Sequence, residues 1–347
     1  MGVKKISALA VSAVLAVALF CTTEVFADTD FRYTDRQLMV ATQIAYYDFT
    51  QEQLEQHGGS ATIRQLLNES QVYRNLEDGW YRAETNLEKR IAQKNLELYE
   101  EIVEEGSLYG DWKVVEVKDE NWENGFYGIL LETDPDHAII AFRGSESDDE
   151  TQIINDWINA DFGLLMDKDT VQQDIAAQFM AEIQQNYQYG QYAATGHSLG
   201  GNLAEHAAIT APDGMRERLV QAYNFDGPGY SREYIKRHEA LIAKVVHPVV
   251  HYRWSLVGAL LSQPDCVQAR IIQVTDDIHS AVTADANYMR HATPFILFEE
   301  DMVKDGEEDL LSLSMGEWSR KADEKVSKLR QEQKSKGPGE NPVQKAP

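Results

Sequence analysis

Tyr192 to Ala208 reads YAATGHSLGGNLAEHAA, and this one stretch holds a strand signal, a glycine-flanked serine and an Ala-rich helix signal. Gly196-His197-Ser198-Leu199-Gly200 fits G-x-S-x-G, the pattern of a serine held on a sharp strand-to-helix turn that only small flanking residues accommodate. Five residues alone say little, but the flanks supply the context. Gln191 to Thr195 suits a short strand, and Leu199 to Thr210 suits a helix ended by Ala211-Pro212-Asp213-Gly214. An incidental serine in a glycine-rich turn would not need that setting.

Outward from the turn, the pattern alternates between strands and helices. Towards the N-terminus a helix is expected from about Thr170 to Asn186, preceded by the short amphipathic segment Ile153 to Phe162. Before it come strand signals at Trp112 to Lys118, Gly125 to Glu132 and Ala138 to Arg143, separated by polar turns. Further back, helical spacing appears at Tyr33 to Phe49, Ser60 to Asn68 and Glu84 to Glu105, a region read mostly as scaffold. Towards the C-terminus, Leu219 to Phe225 is expected as a strand and Ser231 to Lys244 as a helix with Ser231 as its N-cap. Two more strands are expected at Val245 to Trp254 and Ala269 to Thr275. Strand, helix, strand in repetition is what a parallel sheet with crossovers requires.

The ends are of another kind. Lys4-Lys5, the apolar run Ile6 to Phe20 and Val25-Phe26-Ala27 read as a signal peptide, residues 1–27, cleaved after Ala27, and so as secretion. The run is shorter than the roughly 18 apolar residues a membrane-spanning helix needs. Bulky Phe20 argues against lipid attachment at Cys21. The organisation expected after cleavage is a helical region at 28–110, a main domain at 111–298, a charged helical segment at 299–336 and a disordered tail at 337–347.

Composition sets the exclusions. The chain has 32 basic and 57 acidic side chains, and cleavage would remove Lys4, Lys5 and Glu24, leaving 30 and 56. So negative a molecule is a poor partner for nucleic acid or an anionic bilayer. Only Cys266 would remain, which precludes an internal disulfide and Cys-based zinc sites. The histidines show no metal-ligand spacing, so neither metal nor cofactor is expected.

Phe142-Arg143-Gly144-Ser145, then NDWINADF at 155–162, then GHSLGGNLA at 196–204 together resemble the lipase class 3 group of α/β-hydrolases. AYYDF at 45–49, NFDGPGY at 224–230 and SLVGALL at 255–261 resemble its bacterial Mbeg-type branch, a likeness that spans about Tyr33 to Phe298. The resemblance implies an α/β-hydrolase fold, a mostly parallel doubly wound sheet, with Ser198 as nucleophile acting on acyl or lipid esters. A serine hydroxyl needs a base to take its proton and an acid to orient that base, and in this fold both follow the nucleophile in sequence. His206 lies too far along its own helix to reach back, and His238 reads as surface-exposed mid-helix. His291, in Arg290 to Phe295, resembles the His-x-x-Pro-Phe segment that bears the base in this branch, with His279 as the nearest rival.

The acid departs from the family pattern. Where an aspartate is expected, the chain reads Arg253-Trp254-Ser255. Asp226 is the substitute, on even terms with a role in capping the Gly227-Pro228-Gly229 amides. Asp265, Asp276 and Asp277 stand further off, and a dyad completed by a backbone carbonyl or water stays open. The resemblance puts the oxyanion hole on the amides of Leu199 and Ser145. It places Ile153 to Phe162 where fungal members carry a lid, so the segment is either a lid in transient contact with lipid or an ordinary surface helix. A binding protein without turnover and an acyltransferase using the same serine are the alternatives to hydrolysis.

Overall fold

The computed structural model describes residues 31–84, 86–144, 169–254, 257–258, 260–272 and 303–304. Helices longer than a single turn are, in order, α1 Asp35–Ile44, α2 Gln51–Gln56, α3 Ile63–Glu69, α4 Val72–Arg82, α5 Asn86–Val103, α6 Val171–Asn186, α7 Leu199–Thr210 and α8 Arg232–Ile242. Four of them begin by one rule. Thr34, Thr50, Thr62 and Thr170 each accept the N–H of a glutamine three residues on, whose side chain returns to the threonine amide. These reciprocal bonds satisfy two backbone donors that the first turn would otherwise leave open.

The strands are β1 Ala61–Thr62, β2 Lys113–Glu120, β3 Phe126–Asp134, β4 His137–Phe142, β5 Gln191–His197, β6 Leu219–Phe225, β7 Val249–Arg253, β8 Val267–Ile272 and β9 Val303–Lys304. Among the described residues they form one sheet in the order of the chain. β1 to β4 pair antiparallel, β4 to β8 parallel, and β9 closes antiparallel on β8. This is the mostly parallel α/β-hydrolase-type sheet that the sequence led one to expect.

Alternation along each strand sorts the two faces. Tyr192 and Ala194 of β5 and Ala222 of β6 share one apolar core with Phe179 and Met180 of α6 and Leu203 and Ala207 of α7. The intervening residues face α1. Thr195 Oγ1 lies 2.8 Å from Thr42 Oγ1, and the Tyr223 hydroxyl donates to Asp35 at 2.9 Å. Gln221 holds the Tyr33 backbone at both its amide and its carbonyl, 2.7 and 3.1 Å. Helices therefore cover both faces, and the layer opposite the crossovers comes from the start of the chain. Leu38, Val40, Ala41 and Ile44 of α1 are all buried.

The first expected helix is divided. Regular α-helix ends at Ile44, a 3-10 turn covers Ala45–Tyr47, and Asp48 is left-handed at φ 54. α4, to which no element was assigned from sequence, occupies Val72–Arg82.

Candidate active site

The parallel strands bring their C-terminal ends to one edge, the place where open α/β sheets offer a crevice to ligands. Ser198 stands there, between the last residue of β5 and the first of α7. Its backbone is at φ 57, ψ −132, a conformation that L-residues adopt only under strain of about 1–3 kcal/mol. The surroundings impose it. Ser198 N–H donates to Phe225 O at 3.0 Å, while Ser198 O accepts from Gly201 at 2.9 Å and Asn202 at 3.3 Å.

Close approach explains the flanking glycines. A Cβ on Gly196 would lie 2.2 Å from the Gly200 carbonyl, and one on Gly200 would lie 2.2 Å from Phe142 O. The serine side chain makes no capping bond to α7. The Leu199 amide opens that helix, among the N–H groups for which helix geometry provides no partner. The expected oxyanion donor is thus a helix-start amide with no intrahelical partner, next to the nucleophile.

His197 is buried and held on two sides. Its Nδ1 faces the Tyr46 hydroxyl at 3.1 Å, and its ring lies nearly parallel to that of Trp254, centroids 6.1 Å apart. The Tyr46 hydroxyl also accepts the Gly144 amide at 3.1 Å. His197 supports the turn, as its position within the motif suggests.

Asp226 sits at the end of β6, fully buried, at φ 56. Its amide donates to Tyr252 O at 2.8 Å, and its Oδ1 accepts from Trp254 N at 2.9 Å. A Cβ on Gly258 would fall 2.2 Å from that oxygen, so the carboxylate is closely packed. The amides of the following turn are taken by others, Gly227 by Asn224 Oδ1 at 2.7 Å and Gly229 by Leu260 O at 2.9 Å, so Asp226 does not cap them. The carboxylate instead reaches across to the end of β7, where the family's expected acid is replaced by Arg253-Trp254. Asp265 is exposed on the turn before β8. Ser145, His279, His291, Asp276, Asp277 and the segment Ile153 to Phe162 lie outside the described residues.

Beneath the turn, α7 carries ionisable groups into the core. His206 donates to or accepts from the Tyr234 hydroxyl at 2.6 Å, and burial pushes it down to about 3, so the ring is neutral and structural. His238 is buried rather than exposed: its ring stacks on Tyr234 with centroids 4.1 Å apart, and Nε2 lies 3.2 Å from Asp169. Its charged neighbour Arg237 pairs with the same Asp169 at 2.7 Å, so the charges that suggested exposure flank a packed ring. His247 is also buried and pushed down to about 4, chiefly by desolvation.

Glu205 is the residue that sequence reasoning missed. It is fully buried, and burial raises its carboxyl to about 8 against the opposing pull of Asn224, the Arg253 charge and Tyr230. Neither carboxyl oxygen has an aligned donor. His251 Nδ1 is 3.8 Å away, beyond a hydrogen bond, and burial holds that ring neutral, so the contact is not an ion pair. Among the described residues no cluster of three His, Cys, Asp or Glu could hold a metal ion, and no helix is long and apolar enough to cross a membrane.

Among curated proteins no sequence matches this chain. Solved structures similar to it include a fungal lipase–inhibitor complex, 17% identical over 62% of this chain and 83% of its own, with a TM-score of 0.32. The Rhizomucor miehei lipase propeptide complex is 17% identical over 69% and 78%, TM-score 0.33, and M37 lipase is 13% identical over 91% and 86%, TM-score 0.37. Scores this low carry no argument about activity. The sequence itself is more specific, since the Mbeg1-like model matches residues 110–333, from the first long strand through the strained serine and beyond. With most of its length under that match, the chain belongs to the Mbeg1-like family.

Proposed function

We propose that this protein is a secreted hydrolase of carboxylic esters, of lipase or esterase type, working through an acyl-enzyme on Ser198. The observation that supports it most is the strained Ser198 backbone between β5 and α7, a conformation with a cost and no structural need for a serine. In this reading His291 takes the hydroxyl proton as Ser198 Oγ attacks the acyl carbonyl. The amides of Leu199 and Ser145 stabilise the oxyanion, and the alcohol leaves with the proton returned by His291. Asp226 orients His291, and water then releases the acid by the same steps. Ile153 to Phe162 would meet the lipid substrate.

The second reading, a binding protein without turnover, is favoured by Arg253-Trp254 standing where the family's acid is expected. One experiment separates them. Protein beginning at Asp28 is treated with a fluorophosphonate probe beside Ser198→Ala and His291→Ala, and p-nitrophenyl esters of increasing acyl length are then assayed. Labelling and turnover in the wild type, lost in both variants by a factor of roughly 10³ or more, support the hydrolase. A folded wild type that neither labels nor turns over sinks it.

A further inference from the structure

The segment Ala45–Asp48, just after α1, touches the loop after β4 at two successive residues. Asp48 pairs with the Arg143 guanidinium, which is itself buried and lies 4.4 Å from the Tyr127 ring centroid. The Tyr127 hydroxyl in turn donates to Phe49 O at 2.7 Å, so the grip closes back on the residue that follows the segment. The next contact is the Tyr46 hydroxyl, which accepts the Gly144 amide and faces His197 Nδ1, each at 3.1 Å. A hydroxyl has one proton and two lone pairs, so it can take the Gly144 hydrogen and give its own to His197.

Gly144 has no spare room. A Cβ there would lie 2.6 Å from the Tyr46 oxygen, 2.7 Å from His197 O and 2.9 Å from Ser198 Cβ. The loop therefore abuts the nucleophile turn, and Tyr46 ties the two together from the side of the sheet opposite α7. Asp48 ends the 3-10 turn in a left-handed conformation and pairs its carboxylate with Arg143.

We infer that Ala45–Asp48 is a clamp, with Tyr46 the positioning residue whose hydroxyl sets Gly144 against Ser198. Its kinetic consequence rests on the hydrolase reading, because the peptide following Gly144 carries the Ser145 amide proposed as an oxyanion donor. A donor displaced by a fraction of an ångström gives up transition-state stabilisation while leaving the ground state alone.

The test is Tyr46→Phe, which keeps the ring and removes only the hydroxyl, beside Tyr33→Phe, whose hydroxyl bonds Thr133 away from the loop. Tyr46→Phe is expected to lower kcat and the rate of fluorophosphonate labelling by about 10- to 100-fold, part of the 10²–10³ that a whole donor supplies. KM should stay within about threefold and Tyr33→Phe should keep its kcat. In protein labelled with 15N-glycine, the Gly144 amide should exchange with solvent about tenfold faster in Tyr46→Phe than in wild type. A wild type that never labels would defeat the hydrolase reading, and the exchange measurement would still decide the clamp. Unchanged Gly144 exchange, or kcat within about twofold of wild type, overturns it.

Discussion

Asp226 and Glu205 are both fully buried carboxyls within the field of Arg253, yet only Asp226 has an aligned backbone donor, and their expected behaviour differs accordingly. Asp226→Asn keeps an oxygen for the Trp254 amide, so the fold should stand. If the carboxylate orients the base, kcat should fall by about 10²- to 10⁴-fold. Paired kcat and thermal-melting measurements check it, and a stable variant with wild-type kcat would move the acid elsewhere. Glu205 makes a pH prediction. The unfolded chain ionises near the ordinary carboxyl value of 4.5 while the folded chain holds its proton to about 8. Below 4.5 both states carry that proton. Between 4.5 and 8 only the unfolded state releases it, so stability drains away as pH rises through this window and levels off above it. Glu205→Gln should remove that slope and, at pH 8, stabilise the protein by up to about 4 kcal/mol, with little effect at pH 4.5. Urea midpoints at the two pH values measure it, and parallel shifts would refute it.

At the scale of elements, what could be read from sequence was whatever a local rule governs. Ser231 caps α8 through Tyr234 N at 3.0 Å, and Leu219–Phe225 falls where its apolar run indicates. The Leu199–Thr210 helix is likewise bounded by its serine turn and its proline. The threonine–glutamine pairs that start four helices went unread, and α2 with them. α4 escaped because its signals conflict: Val72, Leu76 and Trp80 recur four apart, but Gln71 makes no cap and Gly79 interrupts the helix. No residue of α4 is buried, so the packing that would have drawn attention to it is absent. His238 departs from its sequence reading for the converse reason: a run of charges on a helix does not reveal that one of them, Asp169-bound Arg237, closes over the ring on which the histidine stacks. The sharpest element-level prediction concerns the contact of α7 with β4. Gly200→Ala would drive a methyl group against the backbone of Phe142 and Arg143, which cannot rotate away. A loss of about 3 kcal/mol or more, or failure to fold, is expected from the urea midpoint. A midpoint near wild type would show that the turn can relax.

At the scale of the whole molecule, the site's supports come from parts of the chain that sequence could not bring together. Ser198 and its glycines announce themselves, whereas Tyr46, more than 150 residues from His197, reads only as an aromatic that packs on the main domain. Glu205 likewise looks like a surface position in an Ala-rich helix until its strand neighbours are known. Sheet order adds a consequence in time. Because each strand lies beside the one that precedes it in the chain, the sheet can assemble by successive addition, each strand pairing with its neighbour in sequence. α1 has no such convenience. Its bonds to β5 and β6 join residues separated by 153 to 188 positions, so the earliest-made helix must wait for the middle of the sheet before it has a seat. Thr42→Ala, which deletes the contact with Thr195, should speed unfolding while leaving the refolding rate within about twofold, as expected of contacts made after the rate-limiting step. Stopped-flow chevrons would read this directly, and a slowed refolding arm would place α1 in the nucleus. An α1 that docks late would leave the strand carrying the nucleophile with its other side in water, and so open to misassembly, until the helix arrives.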